Sequence, residues 1–101
     1  MQKSQKLLTE MSHLLDLLIK NAEELLSEVH KMDIDEDKLR ELQKIQDDWL
    51  TEYILKDDMW REYHLEILDQ PSSILQSQVD QKLNQFQQLN IKFIDSIKNI
   101  C

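Results

Sequence analysis

Apolar residues recur along this chain in steps of three and four over almost its whole length, the spacing that keeps side chains on one face of an α-helix. Over residues 4–32 the series is Leu8, Met11, Leu15, Leu18, Ala22, Leu25, Val29 and Met32. Leu7, Leu14, Ile19 and Leu26 flank that seam and widen it. A widened stripe suits a helix that touches two neighbours in a bundle more than one in an isolated pair. Ser4 stands where an N-cap would start the helix. A second series runs Leu39, Leu42, Ile45, Trp49, Tyr53, Trp60, Tyr63 and Ile67, widened by Leu50, Ile54, Leu65 and Leu68. It thins for one turn at Lys56-Asp57-Asp58, but neither Gly nor Pro lies there, so the helix is expected to continue, straight or kinked. The third series is Val79, Leu83, Phe86, Asn90, Phe93, Ile97 and Ile100. Its first half is rich in Gln and poor in apolar residues, its second half strongly apolar.

Two breaks separate these stretches. At Asp33-Ile34-Asp35-Glu36-Asp37, Asp35 is placed to cap the second helix, with Glu36 and Asp37 in its first turn, where the helix dipole favours negative charge. Ile34 and Leu39 have the spacing of a hydrophobic staple. At Asp69-Gln70-Pro71-Ser72-Ser73, the proline is compatible with a first turn but not with a helix interior, and it keeps Gln70 out of helical geometry. The expected fold is therefore all-α: helices over about 4–32, 35–69 and 72–100 in one elongated antiparallel three-helix bundle, each roughly 45 Å long. Long regular seams also leave open a self-associating assembly such as a homodimer, which a second copy of the chain would complete.

Composition sharpens this reading. Glycine is absent and proline occurs once among 101 residues, whereas sheets and irregular folds need glycine at turns of positive φ. A chain of this length is one domain and buries roughly 65% of its unfolded surface. The net charge is −8, and the segment Asp33 to Asp69 alone holds thirteen Asp+Glu against five Lys+Arg. So acidic a chain is poorly suited to nucleic acid, whose phosphates need basic contacts. No apolar run is long enough for a membrane span, and the N-terminal residues lack a signal-peptide core. Cys101 is the single cysteine and cannot form an internal disulfide, which fits a reducing compartment and a cytoplasmic location.

Candidate chemistry is sparse. Asp33-x-Asp35-x-Asp37 resembles the opening of a calcium-binding loop, but Lys38 and Lys44 occupy the positions where that loop needs Gly and Glu. Glu10-x-x-His13 has the spacing of a di-iron bundle motif, yet the second copy and two further inward Glu are lacking, and both residues are expected to face solvent. Neither a nucleophile–base arrangement nor a phosphate-cradling loop is evident, so no enzyme activity, cofactor or metal is expected. Asn90 is the polar member of the third seam, where a lone Asn can fix register.

The aromatic set Trp49, Tyr53, Trp60 and Tyr63 falls on one face and is either core or a binding hot spot. If the second and third helices are antiparallel, the stretch from Trp60 to Leu68 faces only Ile74, Leu75, Val79 and Leu83 and leaves that end underfilled. A groove of Trp60, Tyr63, Ile67, Trp49, Tyr53, Val79 and Leu83, rimmed by Asp57, Asp58, Glu62 and Glu66, would suit an amphipathic helix with basic flanks.

The pattern also resembles a family, the small acidic helical chaperones of flagellar and type III secretion export, of the FliT and FlgN kind. The features that carry it are the Leu-rich first helix (Leu14-Leu15-Asp16-Leu17-Leu18), the acidic turn Asp33 to Asp37, the charged second helix and the Gln-rich run Gln81-Lys82-Leu83-Asn84-Gln85-Phe86-Gln87-Gln88-Leu89. The resemblance implies a cytoplasmic, non-catalytic adaptor that holds a helical segment of an export substrate before secretion, and it transfers no functional residue by position. Two further readings stand beside it. One is a self-associating structural protein. The other is an acidic inhibitor or immunity-type protein that blocks a basic surface through Asp47, Asp48, Asp57 and Asp58.

Overall fold

In a computed structural model the chain forms three helices, α1 (Lys3–Val29), α2 (Glu36–Ile67) and α3 (Ser73–Ile100). The structure describes residues 3–67 and 73–100, with side chains over 5–62 and 74–98. The bundle is elongated, with Cα extents of 51 × 20 × 19 Å. Cross-helix partners fix the directions. Glu10 meets Lys56, Asn21 meets the Leu42 carbonyl and Glu28 meets Lys38, so α2 runs antiparallel to α1. Lys82 meets Ser12 and Asp16, and His30 meets Ser96, so α3 runs parallel to α1.

α1 is the central element. It supplies Leu7, Leu8, Met11, Leu14, Leu15, Leu18, Ile19, Ala22, Leu25 and Val29 to the core, whereas among the described residues α2 buries only the apolar Leu42 and Tyr53, and α3 only Val79, Phe86 and Phe93. The widened stripe explains the difference. At 100° per residue these α1 positions cover an arc of about 140° of the helix circumference, enough to seat α2 along one edge and α3 along the other. Each such side chain withdrawn from water contributes about 1.5–3 kcal/mol before entropy is counted.

The two breaks differ in detail from expectation. α1 ends at Val29 rather than at residue 32, because His30 N–H and Lys31 N–H turn to the carbonyls of Ser27 and Glu28 in tight 3₁₀ fashion. Met32, placed on the seam by its spacing, is instead fully exposed. Ser4 lies within α1, not ahead of it. Asp35 caps α2 as its position predicts: its Oδ1 accepts from Lys38 N–H at 3.1 Å, while its carbonyl accepts from Leu39 N–H. Ile34 and Leu39 pack together against Leu25, Val29, Leu42 and Phe93. α2 is unbroken through Lys56-Asp57-Asp58. The proline boundary at residues 69–72 lies outside the described residues.

Glu28 holds the α1–α2 link closed. Its carboxylate is 2% exposed and accepts from Lys31 Nζ at 2.9 Å and Asp35 N–H at 3.3 Å, with Lys38 Nζ at 3.7 Å. The Lys31 bond is the largest cause that holds this carboxyl below its ordinary range, and the Asp35 N–H and the two lysine charges add to it, against the opposing effect of burial. Seven residues earlier, buried Asn21 donates from Nδ2 to the Leu42 carbonyl at 3.0 Å and ties α1 to α2 at mid-height.

Candidate functional site

α2 and α3 both lean on α1 but do not close on each other. Among the described residues no Cα of α2 comes within 8 Å of a Cα of α3, whereas closely packed helix axes lie 8–10 Å apart and bring many Cα pairs that close. Side chains bridge the gap instead. Tyr53 reaches the cluster that holds Val79 and Phe86, with Trp60, Leu75 and Leu83 half-buried against it. Midway along, Gln46 Nε2 donates to Asn90 Oδ1 at 3.4 Å. Asn90, the polar member of the third seam, is thus met by a polar residue of α2.

The result is a groove between α2 and α3 on the side away from α1. Leu50 and Ile54 lie on the flank of α2 that also carries Arg61, which faces α3. Leu83, Ile91 and Ile94 lie on the flank of α3 that carries Asp80 and Asn90, both turned towards α2. Exposure singles out the outer members: Ile54 is 50%, Ile91 52% and Ile94 43% exposed. These isoleucines sit on a surface where water would ordinarily select polar side chains.

A cavity lies at each end of the groove. The first, about 360 Å³, is walled by Val29, Ile34, Leu39 and Ile97, with Glu36, Arg40 and Gln43 at its rim. The second, about 240 Å³, is lined by Leu8, Met11, Tyr53, Trp60, Val79 and Leu83 together with Asp57, Arg61, Gln76 and Asp80. Asp57 binds Arg61 at 2.9 Å. Burial, followed by the charges of Asp57 and Asp80, pushes the Tyr53 phenol up to about 12.

The residues singled out from the sequence divide among three places. Tyr53 and Val79 are buried in the core. Trp60 and Leu83 are half-buried walls of the second cavity, where the spacing placed an underfilled end. Trp49 belongs elsewhere: it turns to the opposite flank of α2 and lines, with Leu17 and Ile45, a shallow cleft against α1. Of the acidic rim, Asp58 and Glu62 are exposed, and Asp57 is half-buried in its ion pair with Arg61. The side chains of Tyr63, Glu66 and Ile67 lie outside the described residues. Among the residues of the alternative acidic face, Asp47 and Asp48 are exposed.

Sequence reasoning passed over Ile91 and Ile94, the α3 side of the groove. Both sit in the apolar second half of α3 but off its three–four seam, and that mismatch is the signal that they are not core. Glu10, expected in solvent, is half-buried and pairs with Lys56 Nζ at 2.6 Å, a bond that lowers its carboxyl below the ordinary value. His13 is exposed beside it. Among the described residues no three His, Cys, Asp or Glu side chains converge as metal ligands, and no helix is long and apolar enough to cross a membrane. No protein-family model, curated protein or solved structure matches this chain.

Proposed function

We propose that this chain is a non-catalytic protein-binding module, a chaperone-like adaptor that holds one amphipathic helix of a partner protein in the groove between α2 and α3. The observation that carries the reading is the row of half-exposed isoleucines, Ile54, Ile91 and Ile94, along a gap that α1 leaves open. A helix laid into the gap would bury that row in the manner of other helix-in-groove complexes. Its flanks would be basic, because α2 carries ten Asp+Glu against five Lys+Arg and opposite charges speed and orient such encounters. The resemblance to export chaperones is in keeping with a partner of this kind: a helical segment of an export substrate held in the cytoplasm before secretion.

The test is calorimetric titration with a synthetic lysine-flanked amphipathic helix of about 22 residues, some six turns. Ile54→Glu and Ile91→Glu should each weaken binding at least tenfold, a loss of about 1.4 kcal/mol, while helicity and melting stay as in the parent. Leu55→Glu, on the far side of α2 and 58% exposed, should leave binding unchanged. Equal losses for all three variants, or none for any, would exclude the groove.

A further inference from the structure

The two cavities at the ends of the groove differ in chemistry, and the difference specifies the occupant beyond its being amphipathic. The first offers aliphatic walls, Val29, Ile34, Leu39 and Ile97, and on its rim Arg40 is near Asp37, its ion-pair partner at 3.1 Å, beside the exposed Glu36. Lys98 is exposed on the same flank of α3 as Ile91 and Ile94 and offsets Glu36 at that end. The second offers two aromatic side chains, Tyr53 and Trp60, and two carboxylates, Asp57 and Asp80. Arg61 neutralises Asp57, and among the described residues Asp80 has no ion-pair partner. Asp58, exposed on the groove flank of α2, adds to the negative field. A cation placed between aromatic faces and carboxylates gains from both.

The cavities are also a fixed distance apart. Gln43 lines the first and Trp60 the second, seventeen residues along one helix, or about 25 Å at 1.5 Å per residue. In a partner helix the nearest matching interval that returns to the same face is five whole turns, 18 residues and about 27 Å.

Resting on the groove reading above, we infer that the partner helix carries two anchors five turns apart: a bulky aliphatic side chain that enters the Val29/Ile97 cavity, and an arginine or lysine that enters the Tyr53/Trp60/Asp80 cavity. The anchors, and not the direction of the partner chain, then decide which way round the helix lies. A helix with leucine first and arginine 18 residues later binds in one direction, and its anchor-swapped counterpart binds reversed.

Two synthetic helices with those opposite anchor orders, each with a nitroxide beside the arginine, test this in solution with the isotopically labelled protein. In both complexes the nitroxide should broaden the amides of Gln76, Asp80 and Leu83 and spare those of Arg40 and Gln43. Replacing the anchor arginine by leucine should cost about tenfold in affinity, and Asp80→Asn should abolish most of that preference. If the broadened end follows the peptide's chain direction, or both ends broaden alike, the two-anchor inference is overturned while the groove stands. Shift changes confined to surfaces other than Ile54, Ile91 and Ile94, or no binding at all, would overturn both.

Discussion

Leu7, Leu14, Asn21 and Glu28 form a row with a spacing of seven, the interval at which one edge of a helix returns to the same neighbour. All four are buried. The two leucines belong to the α1 stripe by their apolar character alone. The two polar members break the binary pattern, and each contacts α2 or the link before it. Leu7 and Leu14 were legible as flanks of the seam, but Asn21 and Glu28 were not: nothing in an isolated Asn or Glu says that the facing helix will present a carbonyl or an orphan N–H. Asn21→Ala removes one buried hydrogen bond and should destabilise the fold by about 1 kcal/mol in urea unfolding. Glu28 makes a statement about pH. Its folded-state affinity for protons is lowered, so its contribution is present above the ordinary carboxylate value of 4.5 and is lost as pH falls through the folded value. The parent should therefore lose stability more steeply than Glu28→Gln as pH is lowered from about 4.5. Parallel curves for the two proteins would mean that the carboxylate does not close the link.

At the level of elements the helices are unequal, although their sequences look alike in length and period. The stripe on α1 is wide enough for two neighbours; those on α2 and α3 are each wide enough for one. That asymmetry was only partly readable: Leu7, Leu14, Ile19 and Leu26 flank the α1 seam, but Leu50, Ile54, Leu65 and Leu68 flank the second series in the same way, and it is the burial that puts α1 at the centre. Which flank of α2 would face α3 was not readable, because Trp49 and Tyr53 sit four residues apart and either could have turned inward. Packing α2 antiparallel onto α1 sends Tyr53 to the α3 side and Trp49 to the other. Substitutions should follow this division. Leu18→Ala, at a fully buried α1 position, should cost about 2–5 kcal/mol. Leu55→Ala on the outer face of α2 should stay within about 0.5 kcal/mol. Amide exchange should rank the helices in the same order, slowest in the middle of α1 and faster in α2, whose anchors are fewer. Protection in α2 equal to that in α1 would contradict an α1-centred core.

For the molecule as a whole, three helices bury two apolar clusters along α1, one from Leu8 to Ala22 and one at Leu25 and Val29, and leave apolar residues exposed on α2 and α3. Ile54, Ile91 and Ile94 border one groove, and Leu55 and Met59 lie on the far side of α2. A second copy of the chain is poorly matched to these surfaces, because two α2 segments of like charge would repel wherever they met. Light scattering over a concentration series should accordingly give a monomer near 12.2 kDa. A dimer of constant mass would reassign the exposed isoleucines to a contact between copies.

That α2 and α3 lean on α1 and leave the gap between them open can be tested in methyl nuclear Overhauser spectra of the free protein, labelled at isoleucine and leucine. Strong cross-peaks are expected from α1 leucines to α2 and to α3, with ready broadening of the Ile54, Ile91 and Ile94 methyls by a soluble paramagnetic agent. Shielding of all three methyls from the agent would mean that the bundle closes on itself and has no groove to offer.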